Sequence, residues 1–183
     1  MKHPRAAAIA VAKEIIAILD PVCERLIVAG SLRRRKALVG DVEILYIPRT
    51  ETRQIDLLHT AEIDLAAEAL RTACGAGIIQ PRIGKTGNTI WGDSNKLAVH
   101  VASGIGVDLF RTDAARWHNM LVCRTGSAEN NIRIATAAQA KGLQWLPYGA
   151  GFFDRRNNRM IEVCSEAEVY ETVGMDYLEP WER

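Results

Sequence analysis

The sequence has few of the residues that stabilise small folds through disulfide bonds or structural metal sites. It has four cysteines in 183 residues, with no C-x-x-C pair and no histidine at ligand spacing beside any of them. A disulfide framework and a structural zinc site are therefore not expected. We expect the cysteines to be reduced and mostly buried.

Long apolar runs are also lacking. No stretch approaches the roughly 20 apolar residues that a membrane span needs. The apolar N-terminal segment 1–19 is interrupted by Lys13 and Glu14, which favours an amphipathic helix over a signal peptide. These observations predict a soluble, cytoplasmic protein without membrane association. We also expect it to be a monomer.

An excess of charge of one sign is missing too. The formal net charge is only +1, whereas proteins that make many DNA phosphate contacts are usually clearly basic. Any affinity for nucleic acid must therefore come from local patches and be sensitive to salt. The 48% hydrophobic composition is enough for one ordinary domain or two small ones.

Hydrophobic periodicity divides the sequence into an α+β first part and a mainly helical second part. Helices are predicted at 4–20, 62–73, 113–124, 127–141 and 165–173, and strands at 26–29, 42–47, 89–91, 96–101 and 107–110, with strand-like pieces near Phe152 and Met160. We therefore predict two domains, residues 1–112 and 113–183.

The acidic residues of the first part form a notable pattern. Asp41 and Glu43 lie two residues apart in a predicted strand, so their side chains point to the same face. Asp108 follows in the later apolar run 107–110. Three acids on neighbouring strands are the usual protein contribution to a two-metal phosphoryl-transfer site. An isolated D-x-E pair more often marks a half-exposed strand, so the acids alone leave that alternative open.

The loop between the first two predicted strands supplies the complementary charge. Gly30 and Ser31 end the first strand and can offer backbone N–H groups and a hydroxyl to phosphate oxygens. Four consecutive cations, residues 33–36, follow within ten residues of the acids. This combination favours a site that holds a triphosphate together with its metals.

Residues 30–43, which read G-S-L-R-R-R-K-A-L-V-G-D-V-E, resemble the nucleotidyltransferase signature of family X DNA polymerases. Two further matches follow in the family's order. Thr125-Gly126-Ser127 with Asn131 resembles its T-G-S-x-x-x-N helix region, and residues 166–181 resemble its C-terminal ending. Three ordered matches are more specific than any one of them.

The resemblance implies a nucleotidyltransferase palm with a mixed β-sheet and flanking helices, followed by a small, mainly helical C-terminal thumb. It covers no lyase or phosphoesterase portion, so we expect a minimal palm-plus-thumb enzyme. It implies catalysis with two Mg²⁺ ions, for which Mn²⁺ can substitute, bound by Asp41, Glu43 and Asp108. The nucleotide-binding residues that it implies are Gly30, Ser31, Arg34, Gly40, Thr125, Gly126 and Asn131.

The resemblance also predicts partners: a dNTP and a gapped or nicked DNA primer–template. The candidate DNA-binding residues are Lys85, Lys96, Arg133, Arg155 and Arg156, although ordinary surface positions are an open alternative for several of them. The sequence also departs from the family. The basic residue that several relatives carry two positions before the catalytic aspartate is Gly106 here.

The expected function is DNA-directed DNA synthesis, with gap-filling repair as its setting. Two alternatives stay open at this point. The same signature serves enzymes that transfer AMP to small molecules or proteins, and a palm without activity could serve as a scaffold that binds DNA ends.

Overall fold

The structure, a computed structural model, describes residues 1–84 and 87–183. Its helices are α1 (Arg5–Leu19), α2 (Gly30–Arg33), α3 (Leu65–Gly75), α4 (Trp117–Thr125), α5 (Ala128–Ala140) and α6 (Glu166–Val173). Its strands are β1 (His3–Pro4), β2 (Cys23–Val28), β3 (Leu38–Val39), β4 (Asp41–Pro48), β5 (Thr50–Gln54), β6 (Thr60–Asp64), β7 (Ile79–Pro81), β8 (Asn95–His100), β9 (Gly106–Arg111), β10 (Leu143–Trp145), β11 (Gly151–Asp154) and β12 (Arg159–Glu162).

The chain divides into two compact units. Unit 1 consists of Met1–Val28 and Leu38–Arg111, and unit 2 consists of Ala29–Ala37 and Thr112–Arg183. The sequence predicts a single boundary, between residues 112 and 113, and it does not separate residues 29–37 from the first domain. In the structure this short segment groups with unit 2.

Unit 1 is built on a five-stranded mixed sheet with the strand order β2-β4-β9-β8-β7, in which only β4 and β9 are parallel. Strand β4 alternates as its sequence predicts, because Val42 and Ile44 are fully buried while Asp41 and Glu43 are half-buried. Helix α1 packs against β2 and β4. The mixed sheet with flanking helices confirms the predicted α+β class.

The hairpin formed by β5 and β6 was not predicted from the sequence. Its strands carry threonines and charges without the apolar alternation that marks a half-buried strand. The helix expected from residue 62 therefore begins at Leu65, where the Asp64 side chain caps it by accepting a hydrogen bond from the Ala67 N–H at 2.8 Å. The strand expected at 89–91 is reduced to isolated bridges, Ile83 with Thr89 and Trp91 with Lys96.

Unit 2 packs helices α4, α5 and α6 with an antiparallel sheet of β10, β11 and β12. Its core includes Ile134, Phe152 and Tyr170, each fully buried. Serines cap two of its helices, since Ser127 accepts from the Asn130 N–H and Ser165 from the Glu168 N–H. The predicted basic loop contains the single-turn helix α2.

Two of the composition-based expectations can be compared with the fold. None of the four cysteines, all of which the structure describes, is in a disulfide bond, but only Cys23 is buried, and Cys164 is exposed. Burial raises the pKa of the Cys23 thiol to about 12. In the described part of the chain, no helix is both long and apolar enough to cross a membrane.

Candidate active site

The three predicted catalytic acids lie on the two central strands of unit 1. Strands β4 and β9 are parallel and in register, with Glu43 opposite Asp108 and Asp41 opposite Gly106. Paired residues on adjacent strands point to the same face, and the two-residue spacing keeps Asp41 with Glu43. The three acids therefore share one face of the sheet, which we call the carboxylate face.

Burial of the opposite face fixes this orientation. Val42, Ile44, Val107 and Leu109 alternate with the acids and are each 0% exposed. A shift of either strand by one residue would bury the acids and expose these apolar side chains, so the register is strongly specified. The carboxylate face is a direct consequence of the alternating sequence.

The chemistry of this face suits a hard divalent cation. Carboxylate oxygens are the ligands that Mg²⁺ prefers. Among residues 1–84 and 87–183, no three His, Cys, Asp or Glu side chains are arranged closely enough to hold a metal ion. The three acids are therefore too far apart in this arrangement to bind one ion together. The donor set fits Mg²⁺, and the acids would have to close around the ion.

A residue absent from the predicted site contacts one of these acids. Arg82 Nη2 lies 2.9 Å from Asp108 Oδ1. Arg82 follows β7, and its backbone N–H donates to the Leu97 carbonyl at 2.8 Å. In the sequence, the role of Arg82 is indicated only by Gly106. Several relatives carry a basic residue at that position, and this chain does not.

In unit 2, the segment 29–37 is held by a largely buried charge cluster. Arg33 makes a bidentate pair with Glu166, with Nη1 at 2.9 Å from Oε2 and Nη2 at 2.6 Å from Oε1, and also donates to Thr125 Oγ1 at 2.7 Å. Arg183 Nη1 donates to the same Glu166 at 2.9 Å. We call Arg33, Glu166 and Arg183 the Glu166 cluster. It accounts for the grouping of residues 29–37 with unit 2.

The protonation of Glu166 reflects this cluster. Burial alone acts to raise the pKa of its carboxyl, but the hydrogen bonds and charges of Arg33 and Arg183 outweigh burial and lower that pKa. Glu166 is therefore ionised at neutral pH. A charged carboxylate between two guanidinium groups is strongly held because both of its oxygens accept charge-assisted hydrogen bonds.

Three of the predicted nucleotide-binding residues, Arg34, Thr125 and Gly126, lie together in unit 2. Arg34 Nη1 donates to the carbonyl of Thr125, which is fully buried at the end of α4. A Cβ at Gly126 would lie 3.0 Å from Arg34 Nη1, and Gly126 has a φ of +67°. Glycine therefore serves both the backbone conformation and the close approach of the guanidinium. The Gly126–Ser127 peptide bond is cis.

The other predicted nucleotide-binding residues, Gly30, Ser31, Gly40 and Asn131, lie in different local environments. Gly30 opens α2 with a φ of +61°, followed by the half-buried Ser31. A Cβ at Gly40 would meet nothing within 4 Å. Asn131 Nδ2 donates to the Cys123 carbonyl at 2.8 Å. Asn131 Oδ1 is buried without a partner among the described residues, which leaves an acceptor for a ligand N–H or O–H group.

The predicted DNA-binding residues lie in different environments. Lys85 falls outside the described residues. Lys96 is 6% exposed, and its Nζ donates to the Gly92 carbonyl at 2.9 Å, so its ammonium holds a loop rather than facing solvent. Arg133, Arg155 and Arg156 are exposed on unit 2, and Arg155 Nη2 donates to Gln144 Oε1 at 2.8 Å.

Comparison with known proteins bears on both units. Residues 120–183 match the family model of the DNA polymerase beta thumb. The chain is a relative of the family X DNA polymerases. The resemblance to family X that the sequence indicates is confirmed, and the last third of the chain matches the DNA polymerase beta thumb.

Two relatives show how far the similarity extends. The DNA nucleotidylexotransferase of Gallus gallus is 22% identical over 176 residues, which cover 85% of this chain and 35% of that protein. The chain thus spans about a third of the length of this curated relative. The polymerase beta of Leishmania infantum, solved as a ternary P/T complex, superposes with a TM-score of 0.74 at 17% identity, covering 100% of this chain and 77% of that one. The whole chain therefore has the polymerase beta fold.

Proposed function

We propose that this chain is a DNA polymerase that adds a deoxynucleotide to a primer 3′-hydroxyl. The observation that carries the proposal is the register of β4 and β9, which sets Glu43 opposite Asp108 and keeps Asp41 on the same face. The DNA polymerase beta thumb in residues 120–183 supports a nucleotide paired on DNA as the substrate, rather than a small molecule or a protein.

In this reaction the primer O3′ forms a bond to the α-phosphorus while the bond from that phosphorus to the β-phosphate oxygen breaks, releasing pyrophosphate. Two Mg²⁺ ions held by Asp41, Glu43 and Asp108 would supply electrophilic stabilisation of the phosphate charge. The Asp108 carboxylate would accept a hydrogen bond from the 3′-hydroxyl and favour loss of its proton.

The residues of unit 2 would bind the nucleotide. The Ser31 hydroxyl and the Arg34 guanidinium are donors of the kind that hold β- and γ-phosphates. Asn131 Oδ1, buried and without a partner among the described residues, would accept a hydrogen bond from the sugar or base. These contacts contribute positioning, which together with electrostatic stabilisation accounts for most of catalysis in phosphoryl transfer.

The proposal is tested by single-nucleotide insertion into a one-nucleotide gap with Mg²⁺ or Mn²⁺. The wild type should extend the primer. Asp41→Asn and Asp108→Asn should each lower the rate by at least about a hundredfold, because each removes a charge that stabilises the transition state. Glu62→Gln, an exposed acid of unit 1, is the matched control and should keep wild-type activity.

Each outcome has a clear consequence. Insertion that survives both Asp41→Asn and Asp108→Asn would refute the assignment of the carboxylate face. No insertion by the wild type, together with equal DNA affinity with and without nucleotide, would favour the scaffold. Transfer of label from ATP to a protein or small molecule without DNA would favour the AMP-transferring class.

One observation favours a second activity. The match to a DNA nucleotidylexotransferase makes template-independent addition to a 3′ end a candidate for this chain. The same assay on a single-stranded primer separates the two activities. Extension only on gapped DNA identifies a templated gap-filling enzyme, and extension on the single strand identifies terminal addition.

A further inference from the structure

The strongest unassigned feature of unit 1 is the ion pair between Arg82 and Asp108. Its N–O distance is 2.9 Å, and the two side chains are 35% and 13% exposed respectively. Because Asp108 is shielded from solvent, the interaction energy of this ion pair is larger than that of an exposed surface pair, whose typical contribution is small. The pair connects the segment after β7 with β9.

The glycine at position 106 allows this contact. A Cβ there would lie 2.9 Å from Arg82 Nη1 and 3.4 Å from the Asp41 Cβ. The guanidinium therefore crosses β9 at Gly106 on the same face that carries Asp41, and any side chain at 106 would push it aside. Because Gly106 is not among the positive-φ glycines, it is required for space and not for backbone conformation.

The position of Arg82 has an electrostatic consequence. A guanidinium bound to Asp108 Oδ1 places a positive charge where the cation predicted for the carboxylate face would bind. Two positive groups on one carboxylate repel each other, so each weakens the binding of the other. The Arg82 backbone is fixed by its hydrogen bond to the Leu97 carbonyl, but its long side chain can leave the aspartate without breaking that bond.

We propose that Arg82 is a positioning residue that competes with the divalent cation for Asp108 and is displaced when the cation binds. The inference rests on the proposed function, since it takes Asp108 to be a metal ligand. Arg82 neutralises Asp108 until substrate and metal arrive, and this neutralisation raises the metal concentration that the enzyme needs.

The test is Mn²⁺ binding at constant ionic strength without DNA or nucleotide, followed by electron paramagnetic resonance or calorimetry. Arg82→Ala should bind Mn²⁺ about fivefold more tightly than the wild type, equivalent to about 1 kcal/mol. Arg82→Lys should stay close to the wild type because it keeps the charge. Gly106→Ala should tighten binding to a smaller extent, because it displaces the guanidinium without removing it.

The control is Arg53→Ala, which breaks ion pairs with Glu51 and Glu68 in the same unit and should leave Mn²⁺ affinity unchanged. In the insertion assay, Arg82→Ala should lower the half-saturating Mg²⁺ concentration about fivefold, a shift that mere loss of fold stability would not produce.

Unchanged or weaker Mn²⁺ binding by Arg82→Ala would overturn the proposal, as would the absence of Mn²⁺ binding in the wild type. Failure of the inference is distinguishable from failure of the proposed function. Primer extension by the wild type with no tightening in Arg82→Ala refutes the competition alone. Tightening in Arg82→Ala without any primer extension supports the competition and refutes the polymerase.

Discussion

The carboxylate face of unit 1 and the Glu166 cluster of unit 2 use charge in opposite ways. Glu166 lies between two arginines, its side chain is 13% exposed, and both of its oxygens accept hydrogen bonds. On the carboxylate face, three acids share a side of the sheet, and Arg82 forms an ion pair with one of them, Asp108. Internally paired charges hold a fold together, whereas grouped like charges raise its energy and are typical of a binding site.

Two fully buried tyrosines, one in each unit, also differ in whether their hydroxyl is hydrogen-bonded. The Tyr170 hydroxyl in unit 2 is hydrogen-bonded to the Asn130 side chain, with N–O and O–O distances of 3.0 and 3.2 Å. The Tyr46 hydroxyl in unit 1 has no partner among the described residues, although both tyrosines are 0% exposed. The two tyrosines therefore differ in whether the buried hydroxyl is paired, and this difference is local to the two positions.

The largest effect should come from breaking the Glu166 cluster. Glu166→Ala leaves Arg33 and Arg183 without their shared carboxylate, and the side chain of Arg183 is 0% exposed. The free energy of unfolding should fall by about 3–5 kcal/mol, the usual cost of an uncompensated buried charge. Urea denaturation measures it, with the exposed Glu171→Ala on the same helix as control. A loss below about 1 kcal/mol would place the cluster among ordinary surface pairs.

The two tyrosines should respond to the same substitution in opposite directions. Tyr170→Phe should destabilise by about 1–3 kcal/mol, because it removes a hydrogen bond and leaves the buried Asn130 side chain unpaired. Tyr46→Phe should be neutral or stabilise by up to about 1 kcal/mol, because the hydroxyl is buried without a partner. Paired urea denaturation curves check both, and equal losses at the two positions would remove the contrast.

The smallest effect is the pH dependence of the Glu166 contribution. The pKa of this carboxyl is lowered in the folded chain from its ordinary value of 4.5. Its ionised form therefore stabilises the fold fully above the unfolded pKa, and the contribution is lost as pH falls through the folded pKa. The difference in unfolding free energy between wild type and Glu166→Gln should be constant near neutral pH and shrink below pH 4.5. A difference that grows on acidification would contradict the assigned shift.

Much of the carboxylate face could be predicted from the sequence because it depends on local periodicity. Alternation in β4 fixes the side of Asp41 and Glu43, and the apolar run around Asp108 marks the second strand. The β5–β6 hairpin was missed because its polar strands carry no such alternation. Lys96 was predicted to bind DNA or to be an ordinary surface residue, because its charge does not reveal that its ammonium donates to the backbone carbonyls of Gly92 and Asp93.

By itself, the sequence determined the α+β class, the three acids and the resemblance to family X, since each follows from residue order and spacing along the chain. Only the tertiary structure decided that residues 29–37 group with unit 2, that Glu166 joins Arg33 to Arg183, and that Arg82 reaches Asp108 across the space left by Gly106. These contacts join residues far apart in the sequence, and no local pattern encodes the distances between them.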